Sequence, residues 1–197
     1  MARLLLHACC GPCSLEPVRS LMEEGYEPTI CWTNPNIAPV AEHGLRLATL
    51  LDWARDVAHL DVIIADDDRR TWERTVAPHG FDRPARCRAC YAQRLEEACR
   101  MAVAEGFTCI STTLAVSPYQ LFETCTEELV RLAETYGLTP VVRDFRPLYP
   151  DATRISRELG MYRQNYCGCR FSAAEAQIER QRARDAHKVQ KIPGHMG

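Results

Sequence analysis

The sequence predicts an α/β fold: a single domain on a mainly parallel sheet of about five strands with helices on both faces, Rossmann-like, followed by C-terminal helices. Three observations carry this. Apolar runs of strand length alternate along the chain with segments of helical period. Glycines stand where helices should end, at Gly25, Gly106 and Gly137. With 197 residues, 46% hydrophobic and 25% charged, the chain can hide roughly 70% of its extended surface in one core.

The strands fall at Arg3–His7, Thr29–Thr33, Val62–Ala65, Cys109–Thr112 and Pro140–Arg143. Between them the helical period covers Leu15–Glu24, Val40–Ala58, Tyr91–Glu105 and Gln120–Tyr136. The connections from helix to strand are short, which argues against separate domains. Residues 151–186 read as two further helices around Tyr166–Arg170, so one domain is expected over 1–186, with 187–197 as a basic, mobile tail. Asp66–Asp68 followed by Arg69–Arg70 marks a strand exit, read either as a solvated loop or as part of a site on the carboxyl edge of the sheet.

The apolar run Leu4–Leu6 is too short for a signal peptide, and no apolar stretch approaches the ~18–20 residues that span a bilayer. A cytoplasmic location and no membrane partner are expected. In that reducing compartment, clustered cysteines point to metal binding or redox chemistry rather than to structural disulfides. The formal net charge of −2 hides an asymmetry, since residues 1–142 sum to −7 and 143–197 to +5. The basic end suits a polyanion such as nucleic acid, although arginine is 22 of the 24 basic residues throughout and composition explains part of the bias.

Seven of the 11 cysteines form three tight groups, Cys9-Cys10-Gly-Pro-Cys13, Cys87-Arg-Ala-Cys90 and Cys167-Gly-Cys169. Cys31, Cys99, Cys109 and Cys125 stand alone in apolar surroundings and are assigned to the core. The first group follows a strand and precedes a helix, whose N-terminal field favours thiolate. The second opens another helix between Arg86 and Arg88. By spacing, Cys10, Cys13, Cys87 and Cys90 make a four-thiolate set for either zinc or an iron–sulfur cluster. The third group closes only a strained small ring, which reads as a labile redox couple or, alternatively, as two more metal ligands. A redox metalloenzyme and a binding module with a structural zinc both remain open on spacing alone.

Read together with the segments between them, these groups closely resemble the QueH-type epoxyqueuosine reductases. The matching stretches are His7-Ala-Cys-Cys-Gly-Pro-Cys-Ser14, Thr33-Asn-Pro-Asn-Ile37, Arg86-Cys-Arg-Ala-Cys-Tyr91, Ser111-Thr-Thr-Leu114 with Ser117-Pro-Tyr-Gln120, Asp144-Phe-Arg146, and Tyr162-Arg-Gln-Asn-Tyr-Cys-Gly-Cys169. They span about residues 4–175, and the order of the three cysteine motifs makes the resemblance specific. Two local departures are Ala38, where a polar residue or His is expected, and Glu42-His43, where Glu-Tyr is usual.

The resemblance implies reduction of the epoxide of epoxyqueuosine, at the wobble position of a tRNA, to the cyclopentene of queuosine. It also implies a [4Fe–4S] cluster on Cys9, Cys10, Cys87 and Cys90, where spacing alone favoured Cys13 over Cys9. Cys167 and Cys169 become the redox-active pair, and Cys13 is left free for a second, mononuclear iron. Turning an epoxide into an alkene consumes two electrons and two protons and releases water, so an electron donor is required and something must stabilise the departing oxygen. Cys13, Asp144 and Tyr162 are the candidates for that role or for the second iron, and His7 reads either as a participant or as a buried, hydrogen-bonded residue. Arg163, Arg170, Tyr162 and Tyr166 form a basic, aromatic stretch suited to an anticodon loop, and Asn34, Asn36, Thr112, Thr113 and Ser117 are expected to line the pocket. The alternative is a zinc-supported tRNA-binding or nucleotide-transferring protein.

Overall fold

A strand covered by helices on both faces must be apolar on both, and β1 (Ala2–Ala8) is: Leu4, Leu5 and Leu6 are fully buried. It is therefore the centre of the sheet. In the computed structural model, which describes residues 2–65 and 68–190 with the last four as backbone only, β1 pairs in parallel with β2 (Tyr26–Trp32) and with β4 (Cys109–Thr112). β3 (Val62–Ile64) adds to β2, and β5 (Thr139–Pro140) to β4, giving the all-parallel order β3-β2-β1-β4-β5. The direction of winding reverses between β1 and β4. In open parallel sheets the crevice outside the carboxyl ends at such a reversal is where ligands bind.

The helices are α1 (Gly11–Glu23), α2 (Val40–Trp53), α3 (Arg69–Val76), α4 (Arg83–Ala104), α5 (Phe122–Thr135), α6 (Tyr149–Glu158) and α7 (Arg170–Gln190). Because side chains alternate along a strand, Leu4 and Leu6 pack with Leu21 and Leu50 on one face, and Leu5 with Leu95 and Leu129 on the other. The two cores hold α1, α2 and α6 against one side of the sheet and α4 and α5 against the other.

Several elements differ from expectation for identifiable reasons. α1 begins at Gly11 rather than Leu15, and α4 at Arg83 rather than Tyr91. Their first turns carry Pro12 and Pro84, which tolerate that position, but no apolar period. The Cys87–Cys90 group thus lies inside α4 and does not open it. α2 stops at Trp53 and passes into a π-helical turn, Ala54–Ala58. The fifth strand shrinks to two residues. α3 carries no apolar period in the sequence, since only Trp72 and Val76 of its eight residues are buried. Asp68 is its N-cap, accepting the Thr71 amide at 2.9 Å, while Asp66 and Asp67 lie outside the described residues. Cys31, Cys99 and Cys125 are buried in the core as expected, and Cys109 partly so. No break marks residue 186: α7 continues to Gln190, and the rest of the expected tail lies outside the described residues.

Candidate metal centre

β1 delivers the first cysteine group to the crevice. Cys10 is the N-cap of α1 in an extended conformation, and no side-chain oxygen caps the helix there. The sulfurs of Cys9, Cys10 and Cys13 all lie within 4.8 Å of one another, with Cys9 and Cys10 at 3.9 Å. Thr113, just past β4, ties the group across the crevice: the Cys9 amide donates to Thr113 Oγ1 at 3.2 Å, and that hydroxyl donates to Cys9 Sγ at 3.5 Å. From the opposite side Gln164 Nε2 donates to Cys10 Sγ at 2.8 Å. Hydrogen bonds from Cys10 and then Cys13 hold the Cys9 thiol well below its ordinary pKa, whereas burial pushes Cys10 up, and hydrogen bonding to Cys10 and Cys9 does the same to Cys13. Of the three, Cys9 is the thiol held low, and its hydrogen bonds are the leading cause. A second or third thiolate requires a cation.

The other two cysteine groups meet in a second cleft. Cys87 and Cys90, three apart on α4, share a helix face, and Cys167 and Cys169 line the same cleft with Asn36, Trp72, Tyr119 and Gln120. Among the described residues three of these sulfurs receive a donor: Trp72 Nε1 to Cys90 at 3.3 Å, Gln120 Nε2 to Cys167 at 3.3 Å, and the Ser172 amide to Cys169 at 3.3 Å. Burial raises Cys87 and Cys90 and pushes Cys167 up to about 12, so these thiols also ionise only beside positive charge. The Cys167–Cys169 turn is braced by Arg46, which donates to the Cys167 and Tyr166 carbonyls and is itself held by Glu42 at 2.7 Å. Between the two sites runs Arg94, 1% exposed, within electrostatic reach of Cys9, Cys90 and Cys167.

The chain matches the family described as epoxyqueuosine reductase QueH over residues 4–175. It belongs to that family. Among relatives named epoxyqueuosine reductase QueH, the protein of Dehalococcoides mccartyi is 30% identical over 173 residues, covering 88% of this chain and 93% of its own. That of Thermotoga maritima is 30% identical over the whole of both chains, and that of Acinetobacter baylyi 32% identical over 86% of this chain and 80% of its own. A solved structure described as a predicted subunit of a tRNA methyltransferase from Methanocaldococcus jannaschii is 14% identical, with a TM-score of 0.55 over 80% of this chain and 75% of that one, and shares the fold.

Within this member of the QueH family, the structure joins Cys13 to Cys9 and Cys10, and brings Cys167 and Cys169 to Cys87 and Cys90. Cys13 also lines a separate cleft with Tyr149, Arg163 and Gln164. His7 is buried and hydrogen-bonded, its Nδ1 2.8 Å from Thr112 Oγ1, and burial lowers its pKa to about 3. Asn34 is buried, donating to the Ala8 carbonyl at 2.8 Å; Asn36 lines the second cleft with its Oδ1 buried and unbonded. Ser117 Oγ accepts from the Tyr119 amide, a local turn contact.

The expected proton donors and RNA contacts are less uniform. Asp144 is exposed, its carboxylate is taken by Arg146 at 2.8 Å, and that contact lowers its pKa. Tyr162 donates to Glu42 at 2.6 Å, and burial pushes its phenol up to about 12. Tyr166 donates to the Ala38 carbonyl at 2.6 Å, so one motif departure supports the cysteine turn, while at the other His43 stacks edge-on against Trp32. Arg170 is engaged by Glu73, while Arg163 is exposed. Residues that sequence reasoning passed over are Arg94, Gln164, Gln120 and Trp72, polar donors to sulfur or to the site's backbone. Gln120 and Gln164 lie inside the Ser117–Gln120 and Tyr162–Cys169 motifs, which is their only signal in the sequence. No helix among the described residues is long and apolar enough to cross a membrane.

Proposed function

We propose that this chain reduces epoxyqueuosine in tRNA to queuosine, with a [4Fe–4S] cluster on Cys9, Cys10, Cys87 and Cys90, the Cys167–Cys169 pair as electron store, and a second iron beside Cys13. The observation that supports the reading is the pair of neighbouring cysteine sites, Cys9, Cys10 and Cys13 at the crevice where the sheet reverses and Cys87, Cys90, Cys167 and Cys169 in the second cleft, with buried Arg94 in electrostatic reach of all three groups. The donor set fits: the sulfurs are soft, their cysteines are buried or half-buried, and they lie beside a buried guanidinium that an anionic centre would neutralise. An iron–sulfur cluster, when bound, supplies electrons one at a time.

The remaining chemistry belongs to the chain. Two thiols at Cys167 and Cys169 give up two electrons and two protons as their S–S bond forms; both epoxide C–O bonds break, an alkene remains, and the oxygen leaves as water. An external electron donor must then return two electrons and two protons to the disulfide. Cys13, in the wall of a cleft open beside Arg163, is the group nearest in kind to what the departing oxygen needs, because Tyr162 and Asp144 already serve Glu42 and Arg146. A tRNA substrate places the work in the cytoplasm.

A second reading has one specific support. Thiolates around a tetrahedral zinc at ~2.3 Å stand about 3.8 Å apart, and Cys9 and Cys10 are 3.9 Å apart. Anaerobic purification with iron, sulfide and zinc analysis, followed by turnover on epoxyqueuosine-containing tRNA, decides between them. Iron and sulfide together with epoxide loss support the reductase; full occupancy by zinc alone in active protein overturns the cluster.

A further inference from the structure

Two fully buried arginines have acids to neutralise them. Arg46, 1% exposed, meets Glu42 at 2.7 Å, and Arg86, 2% exposed, meets Glu175 at 2.6 Å. Arg94 is as deeply buried, yet among the described residues no carboxylate pairs with it; it donates to Asn34 Oδ1 and the Thr33 carbonyl, both neutral. A guanidinium cannot shed its proton to escape the low dielectric, and a buried charge without a partner is strongly destabilising. Its counter-charge must come from whatever shares its surroundings. Those are His7, which burial keeps neutral, and cysteines of all three groups: Cys9, Cys90 and Cys167. Arg94 follows Cys90 by four residues on α4, so both project from one helix face toward the end of β1.

We propose that Arg94 is the fixed counter-charge of the metal–sulfur centre, holding its reduction potential up by favouring the more negative, reduced form. The inference rests on the reading that these cysteines carry such a centre. Arg94 touches no substrate, and acts as a positioning residue through the sulfurs around it. In a low-dielectric interior a single charge at this range shifts an electron-transfer equilibrium far more than it could in water.

The test uses the full chain loaded anaerobically with iron and sulfide, as wild type, Arg94→Met and Arg94→Lys, with the midpoint potential read by dye-mediated titration of the visible absorbance. Arg94→Met should move the reduced-to-oxidised ratio at least tenfold toward oxidised, about 59 mV downward for a one-electron couple. Arg94→Lys should recover most of it, because charge and not shape is what matters. Melting temperatures of the metal-free and loaded forms separate this from a structural role: Arg94→Met should leave the metal-free chain no less stable and shrink the gain on loading. Should Arg94→Met take up no iron, uptake by Arg94→Lys supports the inference, and failure of both with equally lowered metal-free melting overturns it. Equal potentials in wild type and Arg94→Met also overturn it. A wild-type chain that binds no iron and sulfide fails at the earlier reading instead, and the inference falls with it.

Discussion

Gly168 separates the two cysteines of the third group with φ +141, and a Cβ there would meet Asn36 Nδ2 at 2.9 Å and Ile37 Cγ1 at 3.1 Å. Both neighbours are buried and cannot give way. Gly168→Ala is therefore expected to cost about 1–3 kcal/mol in urea denaturation, by backbone strain and overpacking. Gly44 is the control: it lies within α2 with nothing within 4 Å of its would-be Cβ, so Gly44→Ala should gain about 0.5–1 kcal/mol. His7 gives a pH signature. Burial first, and the Arg94 charge second, keep it neutral in the folded chain down to about 3, against 6.5 for an ordinary histidine. Between those values the unfolded chain binds the extra proton, so this residue's share of stability is complete above 6.5 and drains away as pH falls toward 3. Wild type should lose ~2 kcal/mol relative to His7→Asn between about pH 7 and about pH 5 in paired urea titrations. An unchanged difference would mean that His7 takes up its proton in the fold at the same pH as in the unfolded chain. None of this was visible in the sequence, where His7 reads equally well as participant or core, and Arg94 looks like any other arginine.

At the level of elements, apolar periodicity found what was apolar. Strand centres are legible because Leu4–Leu6 and Ile110–Thr112 are short buried runs, whereas the first turns of α1 and α4, made of cysteine, proline and arginine, carry no period to read. Those unread stretches, which in α4 run on to Cys90, hold the chemistry. The same is true of α3 and of the start of α7, which are fastened by charge. Arg86 on α4 reaches Glu175 on α7 at 2.6 Å, and Glu73 on α3 holds Arg170. Glu175→Gln leaves a guanidinium that is 2% exposed without its acid, so α7 should loosen by about 1–3 kcal/mol. Limited proteolysis should then cut within α7 well before the sheet, and the Cys169 thiol just ahead of this helix should alkylate faster. Unchanged cleavage would show that α7 docks by packing alone.

Across the whole molecule, the sequence announced three cysteine groups but not the strand order that brings them together, because β1–β4 pairing joins segments a hundred residues apart with no local signal. Once that pairing exists, the labour of the cysteines can be separated. Cys87→Ser should strip iron, since a hydroxyl is a poor substitute for thiolate, whereas Cys169→Ser should keep iron and lose turnover, a lone thiol being unable to close a disulfide. Loss of iron in Cys169→Ser would make that residue a ligand. The substrate face follows the same logic of free and engaged charge. Arg163 is exposed in the wall of the Cys13 cleft with no ion pair among the described residues, while Arg170, beside it in the basic stretch, is already taken by Glu73. A free arginine at a phosphate releases a counterion on binding, and its loss flattens the dependence of log Kd on log salt by ~0.7–0.9. Arg163→Ala should therefore weaken tRNA binding most at low salt and converge on wild type as salt rises. Arg170→Ala should leave the slope nearly unchanged. Binding titrations from about 50 to about 300 mM salt read both slopes, and a flattened slope for Arg170→Ala alone would move the RNA from the Cys13 cleft to the α3–α7 side of the molecule.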